Sequence, residues 1–308
     1  MSYFVNALIP VLALIVLGYG LKRLEFLSAE VWAGIEKITY YLMFPALLIH
    51  TLASQDLAGQ PWSRLFLIST LVLLISALAL WLYFALTHRT SAATFTSIFQ
   101  GGVRFNTYIA LSVSGAYFGQ EGLALISEAL GSMIVVANIL CIGVFVLYGK
   151  AEARTVKTFA KQLVLNPLVI GCAIGWVLSL SGVGLPWVSS EIFEIIGRAA
   201  LPLGLLAVGA ALRPGLIRGH APAILEASVA QFLIKPAVTL ALCAAFGLTG
   251  VAAGVLLIVF ITPTASSAYI LARQLGGDLE AMASIITLQT LVAFAVMPIW
   301  AWVWLTAL

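Results

Sequence analysis

Arg104 sits in the middle of a long apolar stretch, with no acidic residue between Phe95 and Gln120. A buried guanidinium without a local carboxylate needs a distant acid, water or a bound anion. Around it, Gly101-Gly102-Val103-Arg104-Phe105-Asn106-Thr107-Tyr108 interrupts the apolar run with glycines and short polar side chains. A second interruption, Thr262-Pro263-Thr264-Ala265-Ser266-Ser267-Ala268-Tyr269, falls in the other half of the chain. One offset carries Phe99 onto Phe260 and Tyr108 onto Tyr269; a slightly smaller one carries Pro10 onto Pro167, Gly18 onto Gly175 and Pro45 onto Pro202. Breaking an apolar helix frees N–H groups at one new end and C=O groups at the other. The N-terminal end carries positive partial charge and suits a carboxylate. The chemistry implied is anion binding, with Arg104, Asn106, Thr107, Ser266 and Ser267 as candidate contacts and Gly101, Gly102 and Pro263 as the residues that break the helices. Each short polar side chain, taken singly, serves equally well as a helix cap. For Arg104 the competing reading is a salt bridge to Glu128, Glu226 or another remote acid.

The elements that hold these residues belong in a membrane. Of 308 residues, 62% are hydrophobic and 9% charged, against roughly 25% charged in a soluble domain. Lipid cannot satisfy the polar groups of a broken helix, so such breaks survive only around a protein-lined or wet cavity. A spanning helix needs roughly 20 mostly apolar residues, and ten stretches qualify: 3–22, 32–53, 63–87, 93–118, 122–148, 160–181, 189–212, 221–247, 251–275 and 279–306. The expected fold is all-α, with five spans in residues 1–148, a linker at 149–159, and five in residues 160–308. An odd number per half inverts the second copy relative to the first. Loops after odd-numbered spans hold Lys22, Arg23, Arg89, Lys150, Arg154, Lys157, Lys161, Arg213, Arg218 and Arg273, while those after even-numbered spans hold only Arg64. Basic residues in short loops stay in the cytoplasm, which puts both termini outside. The first apolar run has no basic residue ahead of it and is expected to stay as a span.

Other residues leave two readings open. Lys235 precedes Pro236 at an expected kink, where it serves structure or the site. Asn138, Gln231 and Gln289 are lone polar residues in spans five, eight and ten, and either tie helices together or line a path. Glu194 and Arg198 are spaced to pair on one helix face. Lys37, beside Glu36, reads as an interfacial lysine that snorkels. Cys141, Cys172 and Cys243 lie in apolar segments as small core residues. No zinc helix, phosphate-binding loop or nucleophile–base–acid set is present, so no metal, cofactor or catalysis is expected. The net charge of +3 is spread over short loops, with no nucleic-acid patch. A paired interruption in two repeats is the sequence mark of a secondary transporter's binding site.

The chain resembles bacterial members of the auxin efflux carrier family, relatives of the plant PIN carriers and of malate and malonate permeases. The resemblance covers nearly the whole chain. It rests on Asn106-Thr107 followed by Ala110 to Gly119, on Asn166-Pro167, on Leu201-Pro202-Leu203-Gly204 with Leu206-Ala207-Val208-Gly209, and on the ninth span broken at Pro263. It implies that spans four and nine cross at their breaks near the membrane midplane. Spans three to five and eight to ten would move against a scaffold of spans one, two, six and seven, through which a homodimer would form. It further implies elevator-like transport of an organic anion across a bacterial inner membrane. Plant carriers have proline where this chain has Phe105, and an apolar residue in place of Arg104. That departure points away from auxin and toward a smaller or more strongly anionic carboxylate. Either a proton or a sodium ion stands open as the coupling ion. The alternatives are a sodium-coupled symporter of the bile-acid type and, from other classes, an intramembrane enzyme or a sensor.

Overall fold

Long runs of leucine, alanine, valine and isoleucine leave the backbone only one way to satisfy itself away from water, which is the helix. The computed structural model describes residues 2–54, 62–149 and 164–307, and every regular element among them is helical. The first half comprises α1 (Ser2–Arg23), α2 (Ala29–Ile38), a π-helical turn (Thr39–Met43), α3 (Phe44–Ala53), α4 (Trp62–Thr87), α5 (Ala92–Val103) and α6 (Thr107–Tyr148). The second comprises α7 (Pro167–Leu180), α8 (Ser189–Arg198), α9 (Ala200–Ala211), a 3-10 turn (Pro214–Gly219), α10 (Ala221–Val229), a π-helical turn (Ala230–Ile234), α11 (Lys235–Ala245), α12 (Gly250–Ile261), α13 (Ser267–Leu275) and α14 (Leu279–Ala307). Six helical stretches are long and apolar enough to cross a membrane by length and composition, and Pro167–Leu180 and Gly250–Ile261 are shorter apolar helices. Beyond Gly149, the expected linker lies outside the described residues, together with Lys150, Arg154, Lys157 and Lys161.

Local chemistry explains where the helices start and bend. Ser28 and Ser91 accept bonds from the Val31 and Thr94 backbone N–H groups and cap α2 and α5. Asn166 caps α7 by accepting from Leu168 and Val169, with Pro167 at the first helical position, where its missing N–H costs nothing. Gly119, at φ 65 and ψ −148, folds α6 back within what is otherwise one continuous helix. Pro236 has no N–H to offer the Phe232 carbonyl four residues earlier. The indole N–H of Trp300 takes that carbonyl instead, at 2.8 Å, and the chain relaxes into the π-helical turn just before the proline.

Helices of the two halves exchange partners. α1 lies along α9 and α3 along α7, in both cases at glycines. A Cβ on Gly18 would stand 2.1 Å from the Leu206 carbonyl oxygen, and one on Gly209 would stand 1.9 Å from that of Ile15. Gly171 and Gly175 meet Pro45 and Leu52 in the same way. The one ion pair among the described residues is Glu194–Arg198 at 2.5 Å, on the surface of α8. α12 is buried from Ala252 to Ile261 and forms the centre of the core with α4, α5, α6 and α14. Gly209→Ala should force α1 and α9 apart and lower stability by about 1–3 kcal/mol. Gly20→Ala, with nothing within 4 Å of the new Cβ, should leave it unchanged; thermal unfolding of the detergent-solubilised protein compares the two.

Candidate functional site

α5 stops at Val103 because Arg104 turns extended, at φ −71 and ψ 162. α6 starts at Thr107, with Asn106 as its cap accepting from Ile109 N–H at 3.1 Å. In the other half α12 stops at Thr262, also extended, and α13 starts at Ser267. The two links touch. Asn106 N–H donates to Thr262 Oγ1 at 3.2 Å, and Thr264 Oγ1 donates to the Gln100 carbonyl at 3.1 Å.

The carbonyl ends of both broken helices are satisfied by side chains from elsewhere. Lys235 Nζ, fully buried, donates to the carbonyls of Val103 at 3.2 Å and Arg104 at 3.1 Å and to Gln231 Oε1 at 2.7 Å. Three donors meet three oxygens, so the ammonium is saturated. The Gln231 amide nitrogen donates in turn to the Thr262 carbonyl. Gln289 spans the links a second time: its amide nitrogen donates to the Gly101 carbonyl at 3.0 Å, and its oxygen accepts from Thr264 N–H at 2.9 Å. Lys235, Gln231 and Gln289 therefore serve the backbone and do not line the adjoining cavity.

That cavity, of about 880 Å³, is lined by Arg104, Asn106, Thr107, Ser266 and Ser267 together with Asn138. The Arg104 guanidinium donates to Asn138 Oδ1 at 3.0 Å and to Ser267 Oγ at 3.4 Å. No acid pairs with it among the described residues, so the expected alternative of a bridge to Glu128 or Glu226 is not formed there. Asn106 caps α6 with its oxygen, while its amide nitrogen is buried and has no partner. Ser266 Oγ is likewise buried and unpartnered. The Arg104 guanidinium and the N-terminal ends of α6 and α13, at Thr107 and Ser267, thus border one space, and both favour an anion, while the orphaned atoms of Asn106 and Ser266 are buried in its wall.

Two glycines have a different role from the one expected. Gly101 and Gly102 do not form the break, since both lie in the last helical turn of α5. A Cβ there would meet Ile285 and Ala227, or Leu80 and Ala230, at 2.6–2.9 Å. They are glycine because α10 and α14 press against Gly101, and α4 and the π-helical turn after α10 press against Gly102. Pro263 does lie in its link. The sequence reading also missed Glu36, Tyr40, Asn166 and Gln274, which line the cavity as well. The Asn166-Pro167 pair was the available signal, read only as a helix start. Gly204, in the Leu-Pro-Leu-Gly stretch, leaves room for the Tyr108 ring, which a Cβ would strike at 2.3 Å.

A family model described as membrane transport protein matches residues 3–301. The chain belongs to this family, that of the auxin efflux carriers. It is also similar, at 22% identity over 301 residues, to an uncharacterised transporter of Methanothermobacter thermautotrophicus, an alignment covering 96% of this chain and 97% of the relative. The family identifies a transporter and not an enzyme, embedded in a bilayer and carrying a small substrate. Within it, the Asn-Thr pair acquires a physical meaning: Asn106 caps the helix that Thr107 begins, and keeps one donor free. Lys235→Met should strand two backbone carbonyls and the Gln231 oxygen. Each buried orphan costs about 1–3 kcal/mol, so the variant's unfolding temperature should fall well below that of wild type in a dye-based melting experiment.

Proposed function

We propose that this protein is a secondary active transporter of small organic carboxylates working by elevator-like alternating access. The observation that carries the reading is that Arg104, with no acid paired to it among the described residues, and two helix N-termini border one cavity. A planar guanidinium takes a carboxylate in bidentate fashion, and first-turn N–H groups supply further donors. Two inverted five-span repeats, 1–148 and 160–308, are supported by the exchanged pairing of α1 with α9 and α3 with α7, which is spans one with seven and two with six. The breaks would then be the crossing point, with spans three to five and eight to ten moving against the other four and the scaffold free to form a homodimer.

Lys37, in the last turn of α2, lines the cavity, which extends toward the start of α7 and the end of α13, where Leu165 and Gln274 border it. Those ends adjoin the loops rich in lysine and arginine, so the cavity faces the cytoplasm of a bacterial inner membrane and both termini lie outside. The sodium alternative is disfavoured by Lys235. The oxygen cluster best suited to a small cation at the breaks already holds an ammonium.

Topology is checked with an impermeant thiol reagent on intact cells, in a background without native cysteines. Cysteine at Ser181, after span six, should label, and cysteine at Phe26, after span one, should not. The site is checked by thermal shift with mono- and dicarboxylates, since a ligand that binds the folded state raises its apparent stability. Losing a buried charged contact to an anion typically costs about 2–5 kcal/mol. Arg104→Gln should therefore nearly abolish the shift and the uptake, and Arg104→Lys, which keeps the charge and loses the fork, should weaken both. A folded Arg104→Gln protein with wild-type binding would reduce this arginine to a structural role.

A further inference from the structure

A second cavity, of about 1180 Å³, lies between the second part of α6 and helices α3, α4 and α7. Its wall is apolar, with Leu65, Phe66, Val136 and Trp176, and one carboxyl group points to it, that of Glu128. Glu128 is 7% exposed and is the one acid among the buried described residues. It forms no ion pair and no hydrogen bond among the described residues. From α7 the wall receives the Cys172 thiol, its other titratable group; no lysine, arginine or histidine of the described residues lines it. His50 of α3 and Arg64 of α4 are off the wall, and Arg64 donates to the Gly247 carbonyl. On α5, Arg104 is engaged by Asn138 and Ser267.

We propose that Glu128 binds the proton that is coupled to anion transport. A lone carboxylate among apolar side chains is costly to keep charged, whereas a neutral carboxyl there is tolerated. The position gives that difference a use. Ser54, Trp62 and Leu180 border this cavity, at the ends of α3 and α7 and the start of α4, which is the end of the helices opposite to the Arg104 cavity. Glu128 and Asn138, the partner of Arg104, stand on the same straight part of α6, about 15 Å apart along its axis. One rigid rod joins the proton to the anion site. At the turn after Glu128, Gly131 lets α6 approach Cys172 and Trp176 of α7 closely enough that a Cβ would stand 2.8–2.9 Å from them. In the elevator reading, on which this inference rests, that contact is where the moving helices slide on the scaffold. Ionised Glu128 together with an anion on Arg104 would carry an extra negative charge along an apolar wall. Protonated from the outer side, Glu128 lets the loaded helices pass and gives up the proton once the inner side is reached; the empty helices return with Glu128 ionised and Arg104 free of its anion, at the same total charge as the loaded ones. One proton then travels with one anion.

The decisive measurement needs no substrate. Infrared spectra of the protein in lipid nanodiscs, recorded across pH, should show the carbonyl stretch of a protonated carboxyl that grows as pH falls and is missing from Glu128→Gln. Glutamine is nearly isosteric with the neutral acid, and its melting temperature establishes that the variant is folded. No titrating band that depends on Glu128 would overturn the proposal. The second measurement is uptake of labelled malonate, malate and citrate into proteoliposomes, with and without an inward proton gradient. One coupled proton permits up to about ten-fold accumulation per pH unit, and the ratio of uptake with and without the gradient should fall to about one in Glu128→Gln and recover in Glu128→Asp. A gradient response that survives in Glu128→Gln overturns the coupling role. If wild type moves none of the three anions, the carboxylate reading of the Arg104 cavity fails for them, and the infrared titration still decides Glu128.

Discussion

Backbone polar groups have nowhere to go when a helix is interrupted far from water, and everything around the two links in this protein answers that problem. The answer is lopsided. On the carbonyl side of the breaks, Lys235, Gln231, Gln289 and Thr264 supply donors, and the oxygens of Gln100, Gly101, Val103, Arg104 and Thr262 are all used. On the N–H side, Asn106, Thr262 and Gln289 each accept from one group, the first turns of α6 and α13 border the cavity, and Asn106 leaves its own amide nitrogen over. Negative partial charge is thus neutralised inside the protein, while positive partial charge is left facing the cavity. The preference for an anion follows from which half of the backbone was capped, and Arg104 adds to a polarity already present. The π-helical turn before Pro236 belongs to the same solution, because it brings Gln231 and Lys235 to the links from one side while Trp300 closes the carbonyl that the proline cannot reach.

The walls of the cavity come from two sets of helices. The links provide the charge, the π-helical turn after α2 provides Tyr40, and the cap of α7 provides Asn166. A molecule in this space touches both sets, so sliding one set past the other changes its surroundings. Such a geometry suits a carrier that must distinguish its loaded from its empty state. Tyr108 stands at the boundary, edge-on to the Phe44 ring at 4.5 Å and flat over Gly204, so motion across that boundary has to clear an aromatic wedge.

Much of this was legible in the sequence because membrane helices announce their exceptions. Asn106, Thr107, Ser266 and Ser267 were visible as polar residues where the apolar run should have continued, and Arg104 as a charge with no neighbour to cancel it. What sequence spacing could not show was who answers whom across space. Lys235 stayed undecided because its oxygen partners lie on α5, far along the chain. Glu128 was weighed only as a mate for Arg104, since nothing linear reveals that it faces an apolar chamber instead. Gly101 and Gly102 were taken for helix breakers by composition, whereas the reason for them is the pressure of α10 and α14 on the first and of α4 and the π-helical turn after α10 on the second. The matching of Pro10 with Pro167 and Pro45 with Pro202 gave no sign that α1 would pack on α9 and α3 on α7.

That pairing bears on how the chain is made. At Gly18 and Gly209 the backbones of α1 and α9 come so close that no side chain fits between them, and the same is true of α3 against α7 at Gly171 and Gly175. A growing chain emerges N-terminus first, and domains ordinarily fold as units while this happens. Here the first helix leaves the ribosome long before its partner exists. It has to wait in the bilayer, or in the care of the insertion machinery, with a bare glycine face that no earlier helix covers. Each half lends the other a packing partner, and the contact of α1 closes only when the ninth helix arrives.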